Sequence, residues 1–232
     1  MTDVRPPLEA YSHHRAFVGQ PDRYDLAAGS QFSLLFLLGL REHHRLLDFG
    51  CGSLRLGRLA IPYLKPGGYF GVEPEARLVE EGLAHELGRD AVELKTPTFA
   101  YNTDYAVDGF GVQFDFIVAQ SVFSHTGEEP LRKALKAFAG SLAPGGMIVA
   151  NWLLGPPGYG PAAETVDWVY PECVAYMPDR LEGLAEEAGL LLRPCPWPHP
   201  ELHWFVLAKD PAVLPDLPTL KALRVAPPAW RT

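Results

Sequence analysis

The chain has 232 residues, 47% of them apolar and 21% charged, with a formal net charge of −8. That length suits one sizeable domain, or one domain with an elaborated lid. The acidic balance, with no Lys/Arg-rich run, argues against a nucleic-acid partner, because backbone phosphates demand a positive surface.

The three cysteines, Cys51, Cys173 and Cys195, are widely spaced and lack a zinc-like pairing, so free thiols and no metal site are expected. The first fifteen residues are polar and include Pro6 and Pro7, which does not read as a signal peptide. The greasiest run, 32–40, is too short to span a bilayer. The expectation is a cytoplasmic protein with no membrane contact.

Residues 1–25 read as irregular, an arm or a mobile lid carrying Tyr11, His13, His14 and Arg15. Residues 26–40 predict a helix with a broad apolar face, and 45–49 a strand buried on both faces. A helix over 54–64 stops at Lys65-Pro66-Gly67-Gly68, and 69–73 is a second strand ending in an acid. Pro74 and Gly88 bracket the next helix, 75–87. A third strand is expected within 91–103, interrupted by Pro97, and a clearer one at 113–119. A helix over 128–142 stops at Ala143-Pro144-Gly145-Gly146 before a fifth strand, 147–153.

This alternation predicts an α/β fold: a doubly wound, Rossmann-like, mostly parallel sheet with helices on both faces. The whole chain, 1–232, reads as one domain, with an N-terminal lid and helix at 1–40. Residues 154–177, rich in Gly, Pro and aromatics, are too long for a routine connection and are a candidate substrate loop. A helix at 178–188 precedes 190–194 and 203–208, a closing antiparallel pair around a Pro-rich turn. The Pro-rich tail, 210–232, is expected to pack as extended chain or to stay loose.

The centre of this pattern is Leu46-Leu47-Asp48-Phe49-Gly50-Cys51-Gly52-Ser53-Leu54-Arg55, a strand, a glycine turn and a helix start. Such a turn offers backbone N–H groups to a nucleotide-like ligand. The dinucleotide fingerprint wants glycine at its sixth position, which here is Arg55, so that reading fails. The stretch instead resembles motif I of class I S-adenosylmethionine-dependent methyltransferases, and the resemblance continues along the chain. Glu73 matches the acid that binds the ribose hydroxyls, Asp104 the acid facing the adenine amino group, and Gln120 the edge of strand four. Leu142-Ala143-Pro144-Gly145-Gly146-Met147 resembles the turn into strand five.

The resemblance implies S-adenosylmethionine as cofactor and S-adenosylhomocysteine as product, held by Asp48, Gly50, Cys51, Gly52, Glu73, Asp104 and Gln120. Arg15 and Arg55 are both candidates for the cofactor's carboxylate. Glu73 would equally suit a helix N-terminus, and Asp104 a surface turn. The sheet expected from the family has seven strands.

The reaction implied is methyl transfer to a small-molecule acceptor, with O-methylation slightly ahead of N-methylation. The Asn/Asp-Pro-Pro-aromatic signature of base and glutamine methylases does not follow strand four, where Ala119-Gln120-Ser121-Val122 stands. His125, the one histidine shortly after strand four, is a candidate general base or a helix-start residue bonded to the backbone. Tyr11, His14, Trp168, Tyr170, Tyr176 and His199 are candidate acceptor walls, with flat apolar bodies and polar tips. The stretch Trp197-Pro198-His199-Pro200, with His13-His14-Arg15 and Gly19, resembles a group of bacterial small-molecule methyltransferases. An aminopropyltransferase would want extra acids near strand four, which are missing. A catalytically silent cofactor-binding subunit remains a second class, and a homodimer is compatible with either.

Overall fold

The computed structural model describes residues 13–156 and 159–223, without the side chains of Leu217 and Ala222. In chain order the elements are α1 (His14–Phe17), α2 (Tyr24–Leu37), β1 (Leu46–Phe49), α3 (Gly57–Tyr63), β2 (Tyr69–Val72) and α4 (Ala76–Gly82). Then come α5 (Arg89–Lys95), β3 (Thr98–Ala100), β4 (Phe114–Ala119), α6 (Glu128–Ser141), β5 (Leu142–Leu154) and β6 (Ala175–Tyr176). The last are α7 (Pro178–Glu187), β7 (Leu191–Cys195), β8 (His203–Ala208) and α8 (Leu217–Leu223).

The strands follow the order β3-β2-β1-β4-β5-β8-β7, with β6 paired to β5. β1 to β5 run parallel, and β8 closes the sheet antiparallel to β5. This is a doubly wound, Rossmann-like sheet closed by an antiparallel pair, with β6 added inside the long 154–177 loop. Side-chain alternation sends successive residues of β1 to opposite faces. Leu47 and Phe49 join a core with Phe138, Leu181 and Trp152 on the α6–α7 side. Leu46 joins Leu34, Leu35, Ile61, Val118 and Val149 on the α2–α3 side.

Four local expectations are corrected. The third-strand region begins as helix α5, because Gly88, at φ 84, ends the preceding turn and Arg89–Lys95 carries no breaker until Pro97. β3 is left with three residues. α3 starts only at Gly57, since Leu54 takes a left-handed φ of 63 and delays the helix. The Ala143-Pro144-Gly145-Gly146 segment lies within β5 as an irregularity, where the register shifts between Phe114↔Leu142 and Phe116↔Met147. The described part of the tail is packed: Leu214, Leu220 and Leu223 are buried in the α2–α3 side core, and burying them favours helix over loose chain. No helix among the described residues is long and apolar enough to cross a membrane.

Candidate active site

β1, buried along its whole length, delivers the glycine turn to the C-terminal edge of the sheet. The N–H groups of Gly50 and Cys51 both donate to the Val72 carbonyl, at 2.9 and 3.1 Å, which locks the turn against the end of β2. Gly50 and Gly52 have φ of 73 and 52, a region in which a Cβ is strained. A Cβ on Gly50 would collide with Val122, and one on Gly52 would sit 2.5 Å from Val18 Cγ1. The turn is thus a cradle closed in by the β4 edge and by the N-terminal arm.

Glu73 follows β2 and stands directly behind this cradle. Its Oε2 accepts from Gly52 N at 3.0 Å and its Oε1 from Glu75 N at 3.1 Å. Burial pushes its pKa up, and the two backbone donors pull it back. Each oxygen keeps acceptor capacity for a further donor.

Asp48 is placed differently. At 3% exposed it lies in the layer between sheet and α3, accepting the Tyr69 hydroxyl at 2.7 Å. Burial raises its pKa to about 6, against the pull of that hydroxyl and of the Arg55 charge. It shapes the turn from within the protein. Cys51 is buried too, with its thiol against Gly71, so it offers the site its backbone.

The arm is pinned at several points. Arg55 Nη1 donates to Val18 O at 2.8 Å, and the Tyr24 hydroxyl donates to Ser53 O at 2.8 Å. Arg15 forms a two-pronged pair with Glu86, at 2.6 and 2.8 Å, and lies over the Tyr24 ring. Its guanidinium is thereby engaged by Glu86, in the segment that follows α4. His14 is buried beside Glu86, stacked between His13 and His85, on the same arm contact. Burial lowers its pKa, with His13 adding to the effect. Tyr11 lies outside the described residues.

At the β4 edge, Gln120 is 8% exposed and its Oε1 has no hydrogen-bond partner among the described residues. Ser121 takes a left-handed φ of 59, and its N–H donates to Asn151 Oδ1 at 2.8 Å. His125 follows on a short 3-10 turn, with Nδ1 at 2.5 Å from the Glu172 carbonyl. A carbonyl can only accept, so Nδ1 carries the proton and Nε2 of the neutral ring is the basic nitrogen. Tyr170 packs edge-on to this ring, its centroid 4.9 Å away, and donates its hydroxyl to Phe17 O. Trp168, half exposed, flanks both. The long loop and the arm therefore meet over His125.

Three sequence candidates fall outside this grouping. Asp104 is exposed after β3, with Oδ1 capping Ala106 N at 3.1 Å. Tyr176 is a core residue rather than an acceptor wall, because β6 carries it inward and its hydroxyl donates to Thr126 O. His199 lies in the β7–β8 turn, where its Nδ1 accepts from Leu202 N at 2.9 Å and Glu201 N at 3.2 Å. Burial, helped by the Arg55 charge, lowers its pKa to about 4. The same turn is tied to α2 through Trp197 Nε1 on Ser30 Oγ.

Sequence reasoning missed Val18, Tyr24 and Asn151. Asn151 had a usable signal, a single amide inside the apolar run Ile148-Val149-Ala150-Asn151-Trp152. The arm contacts had none. Among the described residues, no group of three His, Cys, Asp or Glu is placed to hold a metal.

Residues 47–148 match the family model described as a methyltransferase domain. Among solved structures, the chain is similar to magnesium protoporphyrin IX methyltransferase from Synechocystis PCC 6803 with bound S-adenosylhomocysteine. Identity is 13%, coverage 82% of this chain and 85% of that one, and the TM-score 0.59. The glycopeptide N-methyltransferase MtfA with S-adenosylmethionine is 13% identical over 79% of this chain and 94% of that one, at a TM-score of 0.60. An S-adenosylmethionine-dependent methyltransferase from Clostridium acetobutylicum ATCC 824 is 14% identical over 79% and 91%, at 0.56. No curated protein matches the chain.

Proposed function

We propose that this protein transfers a methyl group from S-adenosylmethionine to a small-molecule acceptor, a reading supported by the match of residues 47–148 to a methyltransferase domain and by a fold like that of S-adenosylmethionine-dependent methyltransferases. The observation that carries this reading is the Gly50–Gly52 cradle backed by Glu73, whose carboxylate is held by Gly52 N and Glu75 N. A half-buried carboxylate held by two backbone donors suits a vicinal diol, and glycines without Cβ atoms suit close approach of a nucleoside. S-adenosylmethionine supplies a methyl on a sulfonium, a group that leaves readily. The protein's own work is to align donor and acceptor and to exclude water. The arm at Val18, the loop at Tyr170 and the β4 edge at Gln120 wall the space where that happens.

His125 takes the proton of a hydroxyl acceptor through Nε2, since the Glu172 carbonyl holds the proton on Nδ1. This favours O-methylation over transfer to an amine, which needs a base less. The net charge of −8 disfavours a nucleic-acid acceptor and so supports a small one. Calorimetry with S-adenosylhomocysteine tests the cofactor assignment, and absence of binding would refute it. In an acceptor screen reading homocysteine release, His125→Gln is expected to slow turnover by about 10²–10⁴-fold. Turnover with an unchanged pH profile would remove His125 as the base.

A further inference from the structure

Three neighbouring strands bring three buried polar atoms to one edge of the sheet. Ala119 pairs with Ala150, and Asn151 with Trp204, so Gln120, Asn151 and Trp204 occupy successive positions across β4, β5 and β8. They share a face: each lies two residues from Val118, Val149 or Val206, all of which pack into the α2–α3 side core. Gln120 is 8% exposed, Asn151 0% and Trp204 2%. Gln120 Oε1, Asn151 Nδ2 and Trp204 Nε1 have no hydrogen-bond partner among the described residues.

The chemistry of this row is defined. Ser121 N–H must meet an oxygen, so the Asn151 amide is oriented with Oδ1 on Ser121 and Nδ2 left as a donor. An indole Nε1 can only donate. The row therefore reads acceptor, donor, donor, outward from the glycine turn, with strands spaced by about 4.8 Å. Buried polar atoms are paired in folded proteins, so three in one line call for a ligand that pairs them.

We propose that this row is the recognition site for the acceptor's polar head, selecting a small molecule whose methyl-accepting hydroxyl or amine stands beside a carbonyl or carboxylate oxygen. The assignment rests on the methyltransferase reading above and gives it a substrate class. Gln120 Oε1, next to the cradle, accepts an N–H where the group to be methylated is an amine, whereas the single proton of a hydroxyl goes to His125. Asn151 Nδ2 and Trp204 Nε1 donate to the neighbouring oxygen.

Trp204 also stands on the wall of a cavity of about 760 Å³, lined further by Trp197, Pro198, His199 and Leu220, which suits an apolar or aromatic body. His199 accepts two backbone N–H groups on Nδ1, leaving its Nε2–H as one more donor on that wall. The charges around the cavity are Lys221 and Glu201 on its lining and the Arg55 guanidinium acting on His199.

The test is calorimetry on protein saturated with S-adenosylhomocysteine, titrated with salicylate and with phenol. The two share a ring and hydroxyl and differ in the carboxylate. Salicylate is expected to bind at least tenfold tighter. Trp204→Phe keeps an aromatic ring and removes the donor, and should weaken salicylate about tenfold while phenol stays within twofold. Asn151→Asp keeps an oxygen for Ser121 and removes the other donor, and should abolish the preference as well, so the test does not depend on one variant folding. Equal or absent binding of the probes, or a preference unchanged in both variants, overturns the assignment. S-adenosylhomocysteine binding is read first: its failure in the wild-type protein refutes the methyltransferase reading and this assignment with it, whereas failure confined to the probes refutes this assignment alone.

Discussion

Replacing Glu73 by Ala tests the cradle most directly. The carboxylate makes one bond from each oxygen, to Gly52 N and to Glu75 N. A carboxylate offers about four acceptor sites, so about two remain for a ribose diol. Removing it leaves Gly52 N, which is partly buried, without its acceptor, at a cost of about 1 kcal/mol in stability, while the exposed Glu75 N returns to water. Losing hydrogen bonds to a charged acceptor should weaken S-adenosylhomocysteine by about 1.5–3 kcal/mol, roughly 10- to 150-fold.

The two effects separate in a double-mutant cycle using a 2′,3′-dideoxy analogue of the ligand. The wild-type protein should bind the analogue about as weakly as Glu73→Ala binds the parent compound, and the variant should hardly distinguish them. The pH dependence has a definite sign. Burial places the Glu73 pKa above its ordinary value, so the carboxylate takes up a proton as pH falls through that raised value. Affinity should then drop on the acid side in the wild type and stay flat in Glu73→Ala. Equal losses for both ligands would mean the turn had collapsed, and the diol assignment would fail.

Two further outcomes follow from the same turn. Asp48 holds its proton up to about pH 6 in the folded chain against an ordinary 3.8, so the unfolded chain releases it first and stability falls as pH rises through that window. The loss amounts to up to ~3 kcal/mol; Asp48→Asn, whose Oδ1 still accepts the Tyr69 hydroxyl, should therefore gain about that much on the wild type between pH 4 and pH 7.5 in denaturant titrations, and a constant gap would refute the burial argument. Gly52→Ala should cost about 1–2 kcal/mol from the left-handed backbone alone, and more because its Cβ meets Val18. Adding Val18→Ala should recover only the second part in the same titrations, and no recovery would mean that the arm does not rest on the turn.

The alternation of helices and strands, the glycine turn and the acid after β2 were all legible in the sequence, because each is a local pattern. A buried strand shows as an apolar run, and a turn with positive φ shows as glycine. Even local reading failed where two signals competed, as in 89–95, where a helix fills what the apolar pattern presented as strand. What a side chain finally faces depended on residues far away in the chain.

Asp48 reads as a ligand-facing acid until Tyr69, from the neighbouring strand, takes its carboxylate. Tyr176 reads as a wall residue until β6 turns it into the core. Arg15 reads as a cation for the cofactor until Glu86 binds it. Asn151 and Trp204 lie 53 positions apart, and only the antiparallel register of β5 and β8 makes them neighbours. Sequence alone thus determined the fold class and the place of the glycine turn, since backbone conformation answers to local residue type. Tertiary structure decided which polar atoms are paired and which are left without a partner among the described residues, since burial and cross-strand register are properties of the packed whole.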